Sequence, residues 1–361
     1  MAQCDDQVLF AEDSIQEEQA KGKNMSRYVL RTGDTGCYDA QGKSVSCAGS
    51  LQDGALQKGI PVPQPRFQNR DEGTVLDRYT GLCWPGDLSG MDFPLRWSEA
   101  LDLVSSLNRE GYLGHSDWRM PNRRELRSLI WHSSRKPALP PDHPFAGLKL
   151  TWYWTSTSSA MYPAYAWHLH LEGGRMFWGK KNQFFLLLPV RSSSHVLPRT
   201  GQGDCFSVSG KLMDCSGSGQ DGETACGVTW PQPRFEPHEL GCRDRLTDLI
   251  WHPRPGEFCL ATDWEEALHK VQALSTGSGT SWRLPNINEL ESLVDASRHT
   301  PALPGEHPFP SVQEVYWSST TSGFETDWAF ALYMHKGAVG VGRKSHSGFA
   351  VWPVTEPISV L

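Results

Sequence analysis

Apolar side chains recur with the spacing of a helix in two matching segments. One set is Trp97, Ala100, Leu101, Val104 and Leu107, and the other is Trp264, Ala267, Leu268, Val271 and Leu274. In both sets the intervals of three and four residues place every apolar side chain on one face. The pattern therefore predicts one amphipathic helix in each segment.

A shorter helix is predicted within each of two similar stretches, DWRMPNRRELRSLIWHSSRKPALPPDHPF at 117–145 and SWRLPNINELESLVDASRHTPALPGEHPF at 281–309. Asn122 and Asn286 are expected as N-caps, with Glu125 and Glu289 three residues later, as in a capping box. The apolar stripes behind the caps are Leu126, Leu129, Ile130 and Leu290, Leu293, Val294. Each helix is expected to end before the proline-dense segment. Two copies of so irregular a stretch indicate a duplicated domain.

Alternating and aromatic-rich runs predict strands around these helices. The segments 77–84 and 244–251 alternate Leu and Trp with polar residues, as in a strand with one buried face. Each copy then ends in three runs rich in β-branched and aromatic residues, at 151–157, 164–171 and 184–191, and at 315–321, 327–334 and 348–354. Turn residues separate the runs, which favours an antiparallel sheet. Trp152, Trp154, Trp167 and Trp317 are expected in its core.

The chain is therefore predicted to have an α+β fold of two tandem units, residues 29–192 and 198–356, with 192–198 as linker. Its 361 residues allow each unit a core of its own. Residues 1–28 are polar and acid-leaning and are expected to form a loose leader or a short helix. With 38% hydrophobic and 21% charged residues, the composition is that of a globular protein, and disorder is not expected for most of the chain.

Charge and hydropathy narrow the classes of partner. The formal charge of −7 is mild for this length, so no nucleic-acid partner is expected. There is no run of 18 apolar residues, so no membrane span is expected. The opening residues MAQCDD lack the basic and apolar regions of a signal peptide, although a mature N-terminus preceded by Met would look the same.

Cysteine spacing bears on the compartment. Nine residues separate Cys37 from Cys47 and Cys205 from Cys215, a spacing that suits a hairpin closed by a disulfide, which contributes roughly 2–3 kcal/mol. Metal binding is the weaker interpretation, because no CxxC pair or Cys/His quartet accompanies these residues. Disulfides predict an oxidising compartment, hence a secreted, extracellular or cell-surface protein, with the periplasm as another possibility. Cys4, Cys83, Cys226, Cys242 and Cys259 cannot be paired from the sequence.

No metal, cofactor or catalytic residue is predicted. Asp53 and Asp221 could be imagined as calcium ligands, but a single Asp-Gly is more often a turn. His143 and His307 recur in both copies without a Ser or Cys motif nearby, and such histidines are more often structural than catalytic.

Ligand contact is expected on the last hairpin of each copy. The candidate residues are Arg175, Phe177, Trp178, Lys180, Lys181 and Gln183 in the first copy, and Arg343, Lys344 and His346 in the second. Aromatic rings stack on sugars and basic groups meet sulfates or carboxylates, so this composition suits an anionic glycan or an acidic protein surface. The alternative is that Phe177 and Trp178 alternate across the sheet and the lysines only solvate an edge.

The ordered motifs resemble a known family. TGxxxCYDxxGxxxxC, QDG, PQPRF, TGLxW, DWRxPNxxEL, PALPxxHPF and YWSST, in this order and in duplicate over roughly residues 30–355, are similar to the Lcl C-terminal domain family, named after a bacterial collagen-like adhesin. The resemblance implies C-type-lectin-like domains, export from a bacterium and binding of a surface or glycan, including glycosaminoglycans. The Glu-Pro-Asn and Trp-Asn-Asp motifs of calcium-dependent lectins are absent, which disfavours calcium-mediated sugar binding.

Three functions are then distinguished. The first is an exported bacterial binding protein or adhesin that recognises a glycan or surface protein through the late hairpins. The second is a structural subunit of an extracellular appendage, in which the domains self-assemble or the leader docks on a neighbour. The third is an enzyme with a fold similar to that of the formylglycine-generating enzymes, which would require reactive cysteines close together in a cleft.

Overall fold

The computed structural model describes residues 28–257 and 263–357. The predicted leader, apart from Tyr28, lies outside these residues, as do Cys4 and Cys259. The helices are α1 (Asp53–Leu56), α2 (Trp97–Glu110), α3 (Arg123–Arg127), α4 (Asp221–Thr224), α5 (Trp264–Ser278) and α6 (Ile287–Ser292). None of the helices in these two ranges is long and apolar enough to cross a membrane.

The strands form antiparallel sheets, so the α+β class predicted from the sequence is confirmed. The first copy contains β1 (Phe67–Asn69), β2 (Thr74–Asp77), β3 (Leu82–Pro85), β4 (Trp152–Ser158), β5 (Tyr165–His170) and β6 (Met176–Lys180). The second contains β7 (Cys205–Phe206), β8 (Leu212–Met213), β9 (Phe235–His238), β10 (Gly241–Asp244), β11 (Ile250–Trp251), β12 (Val315–Thr321), β13 (Trp328–Tyr333), β14 (Ala338–Arg343) and β15 (Val354–Thr355).

One six-stranded sheet runs through both copies. Its strand order is β12-β13-β14-β6-β5-β4, so each copy contributes three strands in mirrored order. The two halves join where Met176 of β6 pairs with Val339 of β14, and both side chains are fully buried. The last hairpins of the two copies therefore meet at the middle of the sheet.

The two outer strands of this sheet are each flanked by a later segment of the same copy. Leu186 bridges Tyr153 of β4, and Ala350 bridges Tyr316 of β12, both in parallel orientation. The segment 184–191, predicted as a strand, makes only isolated bridges, and of the predicted strand 348–354 only Val354 lies in a strand, β15. The predicted strands at 77–84 and 244–251 are also corrected. The first comprises the end of β2, a turn and then β3, and the second comprises the end of β10, a turn and then β11.

The two long helices follow the predicted apolar spacing. In α2 the residues Trp97, Ala100, Val104 and Leu107 are buried, and in α5 they are Trp264, Ala267, Leu268 and Val271. Each leading tryptophan also donates its indole N–H to a sheet carbonyl, Trp97 to Thr155 O at 2.8 Å and Trp264 to Ser318 O at 2.7 Å. Trp154, Trp167 and Trp317 are in the core as predicted, whereas Trp152 is only partly buried.

The two short helices begin at the predicted caps. Asn122 accepts from the backbone N–H of Glu125, and the Glu125 carboxylate accepts from Asn122 N, which completes the capping box. Asn286 and Glu289 make the same pair of bonds. Both helices end before the proline-dense segment, as predicted, at Arg127 and Ser292, and the apolar stripes behind the caps are buried.

The predicted disulfides Cys37–Cys47 and Cys205–Cys215 are both confirmed, with Cα–Cα distances of 5.4 and 5.2 Å. They close the two N-terminal hairpins, of which the second contains β7 and β8. The Asp-Gly turns that follow each form a single helical turn, α1 or α4. The glycines have a packing reason, because a Cβ on Gly54 or Gly222 would collide with the backbone oxygen of Gly36 or Asp204.

Each disulfide hairpin region docks on the opposite copy. Asp53 Oδ2 accepts from Thr32 at 2.6 Å in its own copy and from Thr320 of β12 at 2.7 Å. Asp221 Oδ2 likewise accepts from Thr200 at 2.7 Å and from Thr157 of β4 at 2.6 Å. The predicted units 29–192 and 198–356 therefore correspond to the two sequence repeats. The N-terminal hairpin region of each repeat makes hydrogen bonds to the other repeat.

Burial sets the protonation of these carboxyls. Desolvation raises the pKa of Asp53 to about 7 and that of Asp221 to about 6, from an ordinary value of 3.8. The two threonine hydroxyls on each carboxylate act in the opposite direction by favouring its charged form.

The raised pKa of Asp221 predicts a pH dependence. Between about pH 4 and pH 6 the folded chain retains a proton that the unfolded chain releases, so this contribution to stability is present at low pH and is lost as the pH rises through about 6. Asp221→Asn removes the titration. The free energy of unfolding of the wild type relative to Asp221→Asn should fall by about 1–3 kcal/mol between pH 4 and pH 7, measured by urea denaturation. The exposed Asp102→Asn serves as control, and a pH-independent difference for Asp221→Asn would contradict the assignment.

Candidate ligand-binding surface

Strand β6 distributes the predicted contact residues over both faces of the sheet. Trp178 pairs with Trp167 across the β5–β6 ladder, whereas the adjacent Phe177 pairs with His168 and lies against Gly340 on the other face. Arg175 and Gln183 are exposed but lie beyond opposite ends of β6, a strand roughly 16 Å long. The predicted residues therefore do not converge on a single point.

Three aromatic rings form a partly exposed cluster at one end of β5 and β6. The ring centroids of Tyr162, Tyr165 and Trp178 lie 5.4–5.6 Å apart in pairs, in tilted or edge-to-face contact. Tyr162 is 49% exposed, and the other two rings are half-buried. We call these three residues the aromatic patch.

Two lysines border the aromatic patch. Lys180 is exposed and pairs directly with Tyr165 in the β5–β6 ladder. Lys336 comes from the turn between β13 and β14 of the other copy, and its Nζ lies 5.8 Å from the Trp178 ring centroid and 5.1 Å from that of Tyr333. The patch thus combines ring faces with cationic groups supplied by both copies.

Lys181 and Lys344 are corrected as ligand contacts, because both side chains are fully buried. Lys181 Nζ lies 4.0 Å from the Trp97 ring centroid and donates to Phe206 O at 3.0 Å and Ser207 O at 3.3 Å. These carbonyls belong to the disulfide hairpin of the second copy. Burial lowers the pKa of Lys181 to about 7.

Lys344 makes the equivalent contacts on the opposite side. Its Nζ lies 4.1 Å from the Trp264 ring centroid and donates to Tyr38 O at 3.0 Å and Asp39 O at 3.4 Å, both in the hairpin of the first copy. Burial lowers its pKa to about 8. Both lysines therefore hold the hairpins in place, and they are not available to a ligand at the surface.

The second copy does not reproduce the aromatic patch. Val341 and Glu325 stand at the places of Trp178 and Tyr162. Arg343 and His346 are exposed as predicted, but Arg343 lies 3.4 Å from the Asp327 carboxylate, which offsets part of its charge. The candidate surface is consequently asymmetric and centred on the first copy.

His143 and His307 occupy matching structural positions. His143 stacks on Phe145 and His307 on Phe309, with interplanar angles of 23° and 15°. Burial lowers the pKa of both imidazoles. Within residues 28–257 and 263–357, no group of three or more His, Cys, Asp or Glu is arranged to hold a metal ion.

A broad groove, not identified from the sequence, separates residues 133–141 from the hairpin of the first copy. Tyr38, Arg135, Lys136 and His143 contribute to its lining. Lys136 is bound at 2.7 Å by Glu172, so the groove has fewer free cations than its sequence suggests. The feature of the sequence that could have indicated this groove is the repeated proline-dense segment, which supplies part of its lining.

Comparison with known proteins identifies the family. The model of the Lcl C-terminal domain matches residues 73–191 and 241–355, more than half of the chain, so the chain belongs to this family in two copies. The matched segments begin after the disulfide hairpins. The family model therefore covers less of each copy than the motifs, which extend over roughly residues 30–355. No curated protein matches the chain.

Lys180 and Lys181 form a matched pair for testing the assignment of the buried lysine. Lys181→Glu places a carboxylate against two backbone carbonyls and should destabilise the fold by roughly 3–5 kcal/mol, as expected for an uncompensated buried charge. Lys180→Glu should change stability by no more than about 0.5 kcal/mol, because the side chain is in solvent. Urea denaturation of both variants measures the difference, and equal stabilities would contradict the burial of Lys181.

Proposed function

We propose that this chain is an exported bacterial binding protein whose aromatic patch recognises a glycan, within domains related to C-type lectins. The observation that carries the proposal is the clustering of Tyr162, Tyr165 and Trp178 beside Lys180 and Lys336. Belonging to the Lcl C-terminal domain family and having two disulfides agree with a role outside the reducing cytosol.

The chemistry of the patch favours an anionic sugar over a neutral one. Aromatic faces supply apolar area and stack on the C–H faces of pyranose rings, while lysines attract sulfate or carboxylate groups. Lys180 is free to move in solvent, and Lys336 is held over two rings. A sulfated or uronic-acid-containing glycan meets both features.

Trp178→Ala tests the proposal. Loss of the central ring should weaken binding to a heparin or sulfated-glycan surface by roughly tenfold or more, measured by surface plasmon resonance. Phe93→Ala is the control, because Phe93 is 53% exposed but lies outside the patch. Lys180→Glu should also weaken binding and reduce its dependence on salt.

Thermal denaturation should show all three variants folded. Unchanged glycan binding by Trp178→Ala would exclude the aromatic patch as the site. Binding lost equally in Phe93→Ala would indicate a non-specific effect of removing exposed aromatic area.

A second candidate function, as a self-assembling structural subunit, is supported by one observation. The β7–β8 hairpin exposes Val208, Leu212 and Met213, and Leu212 is 69% exposed. Neighbouring exposed apolar side chains on one hairpin are typical of a surface that packs on another protein.

A Leu212→Ser/Met213→Ser variant tests this second candidate. If the hairpin mediates self-association, the wild type should form concentration-dependent oligomers in analytical ultracentrifugation and the variant should remain monomeric. The corresponding hairpin of the first copy, which carries Val45, provides a matched Val45→Ser control. A wild type that is monomeric at all concentrations would rule out this role for the hairpin.

A further inference from the structure

The short helices α3 and α6 carry different charges where the two copies meet. The α3 sequence RRELR places Arg123, Arg124 and Arg127 at positions that Ile287, Asn288 and Glu291 occupy in α6. All three arginines are buried, with no more than 5% exposure. The Glu291 carboxylate makes ion pairs with Arg123 and Arg124, at 3.5 and 3.3 Å.

Two of the three arginines have at least one protein acceptor, although Arg123 Nε and Nη1 are buried without one among the described residues. Arg123 Nη2 donates to Gly337 O at 2.6 Å, and its guanidinium lies 4.0 Å from the Trp167 ring centroid. Arg124 donates to Val294 O at 2.7 Å and to Glu291 Oε2 at 3.3 Å. Glu291 Oε2 is thus engaged by Arg124, whereas Glu291 Oε1 lies 3.5 Å from Arg123 Nη2 and accepts no hydrogen bond from the residues that the structure describes.

Arg127 is only 4% exposed, yet its Nε and Nη2 atoms are buried without a hydrogen-bond acceptor among the residues that the structure describes. Leaving such charged donors unsatisfied is costly, so buried arginines are normally paired. Two nearby arginines follow that rule, because Arg66 and Arg234 each bind an aspartate at 2.8 Å. The excess positive charge is therefore local to α3.

A cavity of about 40 Å³ opens beside these groups, between the two copies. Arg31, Arg124, Arg127 and Asn288 supply donors to its lining, and Glu291 supplies a carboxylate. Leu30, Ile130 and Leu197 provide apolar walls. The volume suffices for roughly three water molecules, which is enough for a monatomic anion and too small for a sugar.

We propose that this cavity binds a small inorganic anion of halide size, held by Arg127 and offsetting the surplus of guanidinium groups at the junction. The anion lies between the copies, so it ties α3 of the first to α6 of the second. The site is separate from the aromatic patch and independent of what that patch binds.

Bromide locates the site directly. Crystals of the full chain soaked in sodium bromide should give an anomalous peak in the cavity, within hydrogen-bonding distance of Arg127 Nε or Nη2. A cavity that holds water alone, with bromide elsewhere or absent, would overturn the proposal. The wild-type chain suffices for this experiment, so the result does not depend on a variant that folds.

Solution measurements test the function of the anion. At constant ionic strength, replacing gluconate with chloride should raise the Tm of the wild type in a saturable manner, because a ligand of the folded state stabilises it. Arg127→Met should abolish the chloride-dependent shift, whereas Arg109→Met, an exposed arginine of α2, should retain it. A shift of equal size in Arg127→Met would refute the assignment of Arg127.

Discussion

The structure depends on the burial of a lysine ammonium group under each disulfide hairpin. The hairpins are exchanged, in that each one packs on the opposite copy. Lys181 and Lys344 lie over tryptophan rings inside opposite copies, and their charge is compatible with burial because hairpin carbonyls from the other copy accept their hydrogen bonds. Without its hairpin, each copy would retain an unsatisfied cation at the edge of its core. The lysine and the long helix beneath it come from one copy, and the disulfide hairpin that covers them comes from the other. This arrangement occurs twice, with the roles of the two copies interchanged.

The duplication has retained this frame while other positions diverged. Trp178 and Val341 differ at the aromatic patch, and Arg127 and Glu291 differ at the junction, although the backbone around each pair is equivalent. Positions that hold the copies together remain matched, as the threonine partners of Asp53 and Asp221 illustrate. The two repeats therefore share one architecture, but they present different chemistry to a ligand.

The sequence predicted what local patterns encode. Capping boxes, amphipathic helices and the nine-residue cysteine loops depend on neighbours within a few residues, and all were confirmed. The exchange of hairpins was missed, because Asp53 meets Thr320 across 267 residues and no local period records such a contact. Lys181 was misassigned since composition does not reveal which of two adjacent lysines points inward. The sequence did contain an indication of which lysine is structural. Lysine recurs at the equivalent positions 181 and 344, whereas the preceding residue changes from Lys180 to Arg343.

The segments that flank β4 and β12 affect whether the central sheet can associate with the sheet of another molecule at high concentration. Leu186 and Ala350 occupy backbone groups that the outermost strands would otherwise offer to a neighbouring chain. Open strand edges are the usual starting points for runaway β-polymerisation, and proteins suppress them by covering or distorting them. Growth of an ordered assembly by adding strands to the central sheet is therefore disfavoured, although this sheet contains six strands.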